Sequence, residues 1–254
     1  SVVLNGSAGT AWIFTEPTDP MSSAGRYLER HPDGVGYLNF RVKDLEQTSV
    51  FLAERKAPFL YDISQSTSTN GGVWNETAIA SPLDDVGFRF IEENNFKNFA
   101  PGFEWIDEKC RYEANVFGLD FGIDHVTSNG RSMHAITEFY RYVMGFEQYW
   151  GIEFHTSHSK PELGNGSGLE SIVMWDKESK IKFATNQPLA PYFNNSQIQI
   201  YIEDNNGSGI QHIAIGTKEI IPVIEKMRRT DVKFLEASDR YYENLPVRMK
   251  KMNL

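Results

Sequence analysis

Two stretches of this chain follow the same order of polar and apolar residues. Written without gaps, residues 34–60 align with residues 209–235, so that Lys43 falls opposite Lys218 and Phe59 opposite Phe234. Each stretch predicts a strand, a helix and a second strand, because its apolar spacing changes from the period of a strand to that of a helix. A repeat of this kind indicates similar modules in series, and two unrelated units of similar composition are the alternative.

A third stretch, residues 121–154, has the same order. Residues 121–126 predict a strand, residues 132–144 a helix that Gly145 ends, and residues 146–154 a second strand. Further strands are predicted at residues 171–175, 181–184 and 196–202. The sequence therefore predicts an α+β fold of tandem βαβββ modules, arranged as two half-barrel domains.

The composition excludes several classes of protein. The net charge of −9 comes from 34 acidic and 25 basic residues, which argues against a nucleic-acid partner. No apolar run approaches the ~18 residues that would span a membrane. The single cysteine rules out an internal disulfide. Since the first residues also lack the pattern of a signal peptide, a cytoplasmic protein is expected.

Two of the six histidines occupy equivalent settings. His125 lies in the run IDHV and His212 in the run IQHIAI, each in an apolar strand that leads into a helix. An imidazole among aliphatic residues needs a partner, either a hydrogen bond in the core or a metal ion. The shared setting favours the metal. Because Tyr37 holds the position of His212 in the N-terminal copy, the C-terminal half is predicted to be the metal-binding one.

Two histidines and one carboxylate that leave open positions are typical of non-haem iron(II) oxygenases. Asp124 is next to His125, but neighbouring residues of a strand point to opposite faces, so Asp124 is expected to face away. The other acidic residues near this pattern are predicted to lie in loops or on helix surfaces: Asp204, Glu219, Glu225 and Glu236. The sequence thus predicts two metal ligands without a third.

Several short motifs follow one another along the second half of the chain: IDHV at 123–126, EFYRYVMGF at 138–146, SIVM at 171–174, NQP at 186–188, SQIQ at 196–199, GSGIQHIA at 207–214 and LEASDRYYENL at 235–245. In sequence and in order they resemble the 4-hydroxyphenylpyruvate dioxygenase family of the vicinal oxygen chelate superfamily. The N-terminal half resembles the family more weakly, through HPDGVGYLNFRVKDLE at 31–46 and FAPGF at 99–103.

The resemblance implies a set of roles. His125 and His212 match the family's iron-binding histidines, and the pocket for an aromatic 2-oxo acid is matched by Ser171, Asn186, Gln197 and Gln211. The cofactor would be Fe(II), the second substrate dioxygen, and the product homogentisate in tyrosine catabolism. A homo-oligomer without a membrane partner is expected. The family's glutamate ligand lies beyond the position of Leu254, and the start of the chain is also short of the family's.

The same resemblance divides the chain into domains. Residues 1–93 would form an N-terminal, non-catalytic module pair that is incomplete at its start, and residues 94–117 a linker. Residues 118–254 would form the catalytic, metal-binding domain, incomplete at its end.

Three other functions stay open. 4-Hydroxymandelate synthase uses the same substrate and scaffold, and Asn186 favours the dioxygenase over it. A non-enzymatic binding protein of glyoxalase-like fold would explain the missing carboxylate. A zinc or nickel lyase of the glyoxalase type would distribute ligands over paired modules, which Tyr37 in the N-terminal copy argues against.

Overall fold

The fold is built from two main β-sheets whose buried residues form one hydrophobic core. The computed structural model describes residues 1–5, 10–105, 117–119, 122–155, 168–189, 196–237 and 239–251. Cys110 lies outside these residues. No helix in the described part of the chain combines the length and the apolar character that crossing a membrane requires.

The N-terminal half begins with a small two-stranded sheet and continues into a four-stranded sheet. Its strands are β1 (Val2–Asn5), β2 (Ala11–Phe14), β3 (Tyr37–Arg41), β4 (Phe59–Thr67), β5 (Val73–Ala80) and β6 (Gly87–Asn94), and its helices are α1 (Ser23–Leu28) and α2 (Leu45–Glu54).

The C-terminal half contains a five-stranded sheet. Its strands are β7 (Ile123–Asn129), β8 (Glu147–His155), β9 (Gly168–Trp175), β10 (Lys182–Pro188) and β11 (Gly209–Ile215), and its helices are α3 (Met133–Tyr142), α4 (Gln197–Asp204), α5 (Ile220–Arg228) and α6 (Asp239–Lys251).

Each main sheet contains one βαβββ module with the same topology. In the first module the order is β3-β6-β5-β4, and in the second it is β7-β10-β9-β8, so that the first and last strands of each module pair in parallel. β11 extends the second module by pairing antiparallel with β7. The prediction of an α+β fold of tandem βαβββ modules is confirmed, while the domain boundaries at residues 94 and 118 stay a prediction.

Local signals at the helix ends explain where the helices begin and stop. Asp44 caps α2, since its carboxylate accepts from the backbone N–H of Gln47. At the start of α3 the side chain of Ser132 makes no such bond. There the Oε1 atom of Gln187 on β10 accepts from the N–H of Met133 instead. Gly145 follows α3 with a φ of 75°, a left-handed conformation that favours glycine.

An aromatic cluster joins the two modules into one core. Phe88 of the first sheet lies 5.9 Å from Phe183 of the second, ring centroid to ring centroid, and Tyr140 of α3 stacks on Phe183 at 4.8 Å. All three side chains are buried. The core therefore depends on contacts between residues far apart in sequence, and neither module buries its aromatic residues alone.

Two predictions of secondary structure are wrong. Residues 196–202 form helix α4 rather than a strand, because Ser196 caps its start and Ile198 and Ile202, four residues apart, are buried while Ile200 is exposed. The second repeat also ends early. Phe59 begins strand β4, but residues 232–237 form no strand, and the side chain of Leu235 is fully exposed.

Candidate metal centre

His125 and His212 lie on the same face of the five-stranded sheet because β11 contains a bulge. Ile210 pairs with Ser128 and His212 with Thr127, so that Gln211 is an extra residue in β11. Thr127 and His125 are two residues apart on β7 and share a face. The bulge at Gln211 therefore turns His212 toward the face on which His125 lies.

A second bulge places the carboxylate of Asp124 beside the imidazole ring of His125. Ala214 pairs with His125 and Ile215 with Ile123, which leaves Asp124 without a partner residue on β11. The regular alternation of a strand does not hold at such a position. The expectation that Asp124 faces away from His125 is wrong, since the Oδ2 atom of Asp124 lies 2.8 Å from Nδ1 of His125.

Both imidazole rings are held in the same way. The Nδ1 atom of His125 donates to Asp124, and Nδ1 of His212 donates to Oε1 of Gln211. Each acceptor is the side chain of the residue just before the histidine. An oxygen that only accepts fixes the proton on Nδ1, which leaves the lone pair of Nε2 for a metal ion.

The charged groups around the two histidines favour an ionised Asp124 and a neutral His212. The ammonium group of Lys182 on β10 lies 2.8 Å from Oδ1 of Asp124. Hydrogen bonds from Lys182 and then from His125 lower the pKa of the Asp124 carboxyl group, so it is ionised at neutral pH. Burial, and next the nearby charge of His125, lower the pKa of His212. A neutral imidazole is the form that binds a metal.

The geometry of the two rings fits a shared metal ion. Metal–nitrogen bonds of about 2.0–2.1 Å put a ring centroid roughly 3.2 Å from the ion, so two ligand rings lie less than roughly 6.4 Å apart. The centroids of His125 and His212 are 5.6 Å apart. Within the described residues, no group of three histidine, cysteine, aspartate or glutamate side chains is placed to hold a metal. The pair therefore supplies two nitrogen ligands and leaves other positions open.

Polar side chains extend the same face of the sheet beyond the histidines. Asn186 on β10 pairs with Asn129 on β7 and with Ser171 on β9, and Asn129 is four residues from His125. The Nδ2 atom of Asn186 donates to Oδ1 of Asn129 at 3.1 Å. All three polar residues are buried. Sequence reasoning missed Asn129, although its spacing from His125 along β7 could have indicated it.

Helix α4 lies over the end of this face. Gly209 pairs with Asn129, and a Cβ atom on Gly209 would lie 2.8 Å from the hydroxyl group of Tyr201 and 2.7 Å from Nδ2 of Asn205. α4 and the turn after it therefore cover the side of the sheet to which Asn129 points. Gln197 lies in the first turn of α4 and is exposed.

The predicted pocket residues thus have different positions. Ser171 and Asn186 lie together on the histidine face. Gln211 lies in the bulge and contacts the ring of His212. Gln197 is on the helix that covers the face, and the roles of all four in binding a substrate stay predictions.

The chain is similar to known proteins in sequence and in fold. Residues 122–247 match the model of the Glyoxalase/Bleomycin resistance protein/Dioxygenase superfamily. The chain has a fold similar to that of a 4-hydroxymandelate synthase mutant from Streptomyces coelicolor. The TM-score is 0.74 at 17% identity over 96% of this chain and 66% of the other.

Among curated proteins, the chain resembles 4-hydroxyphenylpyruvate dioxygenases. It is 32% identical to the enzyme of Dictyostelium discoideum over 95% of this chain and 65% of the relative. It is 30% identical to that of Caenorhabditis elegans, over 90% of this chain and 58% of the relative. The chain therefore spans less than two thirds of the length of these relatives.

Proposed function

We propose that this chain is the metal-binding part of an iron(II)-dependent dioxygenase that converts 4-hydroxyphenylpyruvate to homogentisate in tyrosine catabolism. The observation that carries the proposal is the pair of histidines on one sheet face, each with its Nδ1 atom held by the preceding side chain. The curated relatives near 30% identity are 4-hydroxyphenylpyruvate dioxygenases, which supports this substrate.

The two histidines would hold Fe(II) through their Nε2 atoms. When bound, the iron supplies the redox chemistry that activates dioxygen. The residues of this chain orient its ligands. Asp124 and Gln211 keep the two rings in place, and Lys182 keeps Asp124 ionised and directed at His125.

The aromatic 2-oxo acid would bind on the same face of the sheet. The hydrogen bond between Asn186 and Asn129 fixes the orientation of the Asn186 amide, which lies on the face to which His125 points. Ser171 is directly across from Asn186 on β9. A polar end and a metal-binding part on one face suit a substrate with a phenol at one end and a 2-oxo acid at the other.

4-Hydroxymandelate synthase chemistry is the alternative, because an enzyme with that activity shares this fold. Both reactions consume dioxygen with the same substrate, so oxygen uptake alone does not separate them. Chromatography of the products does, since homogentisate carries a new ring hydroxyl and 4-hydroxymandelate a side-chain hydroxyl. We propose the dioxygenase on the names of the curated relatives.

Two further expectations belong to the proposal. A cytoplasmic location is supported by the acidic composition and the single cysteine. A homo-oligomer without nucleic acid is the expected assembly, and light scattering of the purified protein measures it.

The test is oxygen uptake by the Fe(II)-loaded protein with 4-hydroxyphenylpyruvate. We expect substrate-dependent uptake and homogentisate as product, with both lost in His212→Ala. His134→Ala is the matched control, because His134 is exposed on α3 and contributes nothing to the pair. Full turnover by His212→Ala would overturn the proposal.

A further inference from the structure

Residues 205–208 form a turn that joins α4 to β11, and residues of the N-terminal half hold it on one side. The turn ends four residues before His212, a distance of roughly 13 Å along an extended strand. Three of its residues make hydrogen bonds to residues of the N-terminal half, namely Asn205 with His31, Asn206 with Arg30 and Ser208 with Asp84.

His31 is the buried centre of these contacts. Its side chain is 3% exposed and its ring stacks on Tyr27 at 4.7 Å. Nδ1 lies 2.6 Å from the carbonyl oxygen of Asn205, and Nε2 lies 3.0 Å from Oδ2 of Asp85. The ring thus connects the start of the turn to the loop before β6.

Asp84 holds the end of the turn. Its Oδ2 atom accepts from the backbone N–H of Ser208. The glycine at position 207 allows the turn to approach Asp84 closely, because a Cβ atom on Gly207 would lie 2.6 Å from that oxygen. The φ of Gly207 is 148°, which lies in the region that favours glycine. Asp84 itself has a φ of 51°. Both segments of this contact thus contain a residue with a positive φ, Asp84 in one and Gly207 in the other.

The position of the turn decides where the strand pairing of β11 begins. β11 pairs in register from Gly209 to Ile210 and then changes register at Gln211. A slip by one residue moves every side chain of a strand to the opposite face. Such a slip would remove His212 from the face of His125.

We propose that His31 and Asp84 are positioning residues for the candidate metal centre. They fix the 205–208 turn from the N-terminal half, which holds β11 in the register that places His212 beside His125. The inference rests on the proposed metal site for its functional consequence. In the N-terminal half, Tyr37 stands at the position that corresponds to His212. The proposed contacts nevertheless give this half a role in the metal chemistry of the C-terminal half.

The first variant is Asp84→Gly, which removes the carboxylate but keeps a residue that tolerates the positive φ. Asp84→Asn is the conservative partner, since it retains a side-chain oxygen. Thr77→Ala is the matched control, because Thr77 is buried within the first sheet, where its hydroxyl group donates to the carbonyl oxygen of Tyr61 and not to the turn.

Two quantities are measured on the full chain of each variant. We expect amide hydrogen exchange across residues 209–215 to become about tenfold faster in Asp84→Gly. We expect the affinity for Co(II), followed by absorption, to fall by roughly 2–30-fold, the usual range for a residue that acts on a site without touching its ligand. Asp84→Asn should keep the exchange rate and the Co(II) affinity close to those of the unsubstituted chain. Thr77→Ala should change neither the exchange rate nor the Co(II) affinity.

The outcomes separate the two proposals. Unchanged exchange in residues 209–215 of Asp84→Gly, or equal Co(II) loss in Thr77→Ala, overturns the positioning role. Absence of Co(II) binding by the unsubstituted chain overturns the metal site, while the exchange result still decides whether Asp84 holds β11. His31→Phe, which keeps a ring against Tyr27 but donates nothing, should reproduce the exchange change of Asp84→Gly; unchanged exchange there would remove His31 from the proposal.

Discussion

The imidazole rings of His125 and His212 lie edge to face, with centroids 5.6 Å apart and planes at 79°. They come from neighbouring antiparallel strands, and the bulge at Gln211 brings them to one face. Each ring receives its orientation from the residue directly before it, Asp124 or Gln211. On each strand, the residue at the bulge is therefore also the residue that orients the histidine after it.

The contact between Gln211 and His212 leads to a prediction about metal affinity. Gln211→Leu removes the acceptor for Nδ1 of His212, so the ring loses its fixed tautomer and orientation. We expect Co(II) affinity to fall by roughly 10–100-fold, as is usual when such a partner is lost. Gln211→Glu keeps an accepting oxygen and should bind Co(II) at least as tightly as the unsubstituted chain. Equal affinities in the leucine and glutamate variants would contradict this role.

Asn186 should contribute to stability as well as to the pocket. In Asn186→Ala the buried Oδ1 atom of Asn129 loses the donor that it has among the described residues, where the Nδ2 atom of Asn129 has no partner. We expect the free energy of unfolding to fall by about 1–3 kcal/mol. Urea denaturation measures it. Ser171→Ala, on the same face, leaves the pair of amides intact and should change stability less; the reverse order would contradict the importance of this hydrogen bond.

The shared aromatic core predicts that the two modules unfold together. Phe183 contacts both Phe88 and Tyr140, so Phe183→Ala removes contacts to both halves. The expected loss is about 3–5 kcal/mol. Denaturation followed by far-ultraviolet circular dichroism and by tryptophan fluorescence should give one coincident transition, shifted in the variant. Two separate transitions in the unsubstituted chain would show that the modules are independent.

The turn between β9 and β10 predicts a stability that depends on pH. Hydrogen bonds from Ser179 lower the pKa of Asp176 from its usual value of 3.8, and the backbone N–H of Ser179 donates to Oδ2 at 2.7 Å. A folded pKa below the unfolded one stabilises the protein above the unfolded value, and this contribution is lost as the pH falls through the folded value.

Asp176→Asn should therefore be less stable than the unsubstituted chain at pH 7, and the difference should shrink as the pH falls below the usual value of 3.8. Urea midpoints at a series of pH values measure this difference. Glu178→Gln is the control within the same turn and should show no comparable change. A difference for Asp176→Asn that stays constant down to the acid limit would contradict the lowered pKa.

Local patterns in the sequence were sufficient for much of the fold. The apolar spacing and cap of α2 at Asp44, and the end of α3 at Gly145, depend on residues close in sequence. For the same reason the equivalent settings of His125 and His212 could be recognised. Ser196 was the signal that residues 196–202 form a helix, but alternating isoleucines in that stretch indicated a strand.

Other features could not be obtained from the sequence because they depend on strand register. The bulge at Asp124 is defined only by the pairing of β7 with β11, and the rule of alternating faces gave the wrong side for its carboxylate. The importance of Asn129 follows from its pairing with Asn186 on β10. The contact between His31 and Asn205 joins residues 174 positions apart. No spacing rule connects residues so distant.

The binding of Fe(II) under anaerobic conditions is the most direct test of His125 and His212 as a metal centre. Metal content after gel filtration is measured for the unsubstituted chain, His125→Ala, His212→Ala and the control His134→Ala. We expect bound iron in the unsubstituted chain and in His134→Ala, and loss of iron in His125→Ala and His212→Ala. Iron retained at full stoichiometry in His125→Ala or His212→Ala would show that this pair is not the metal centre.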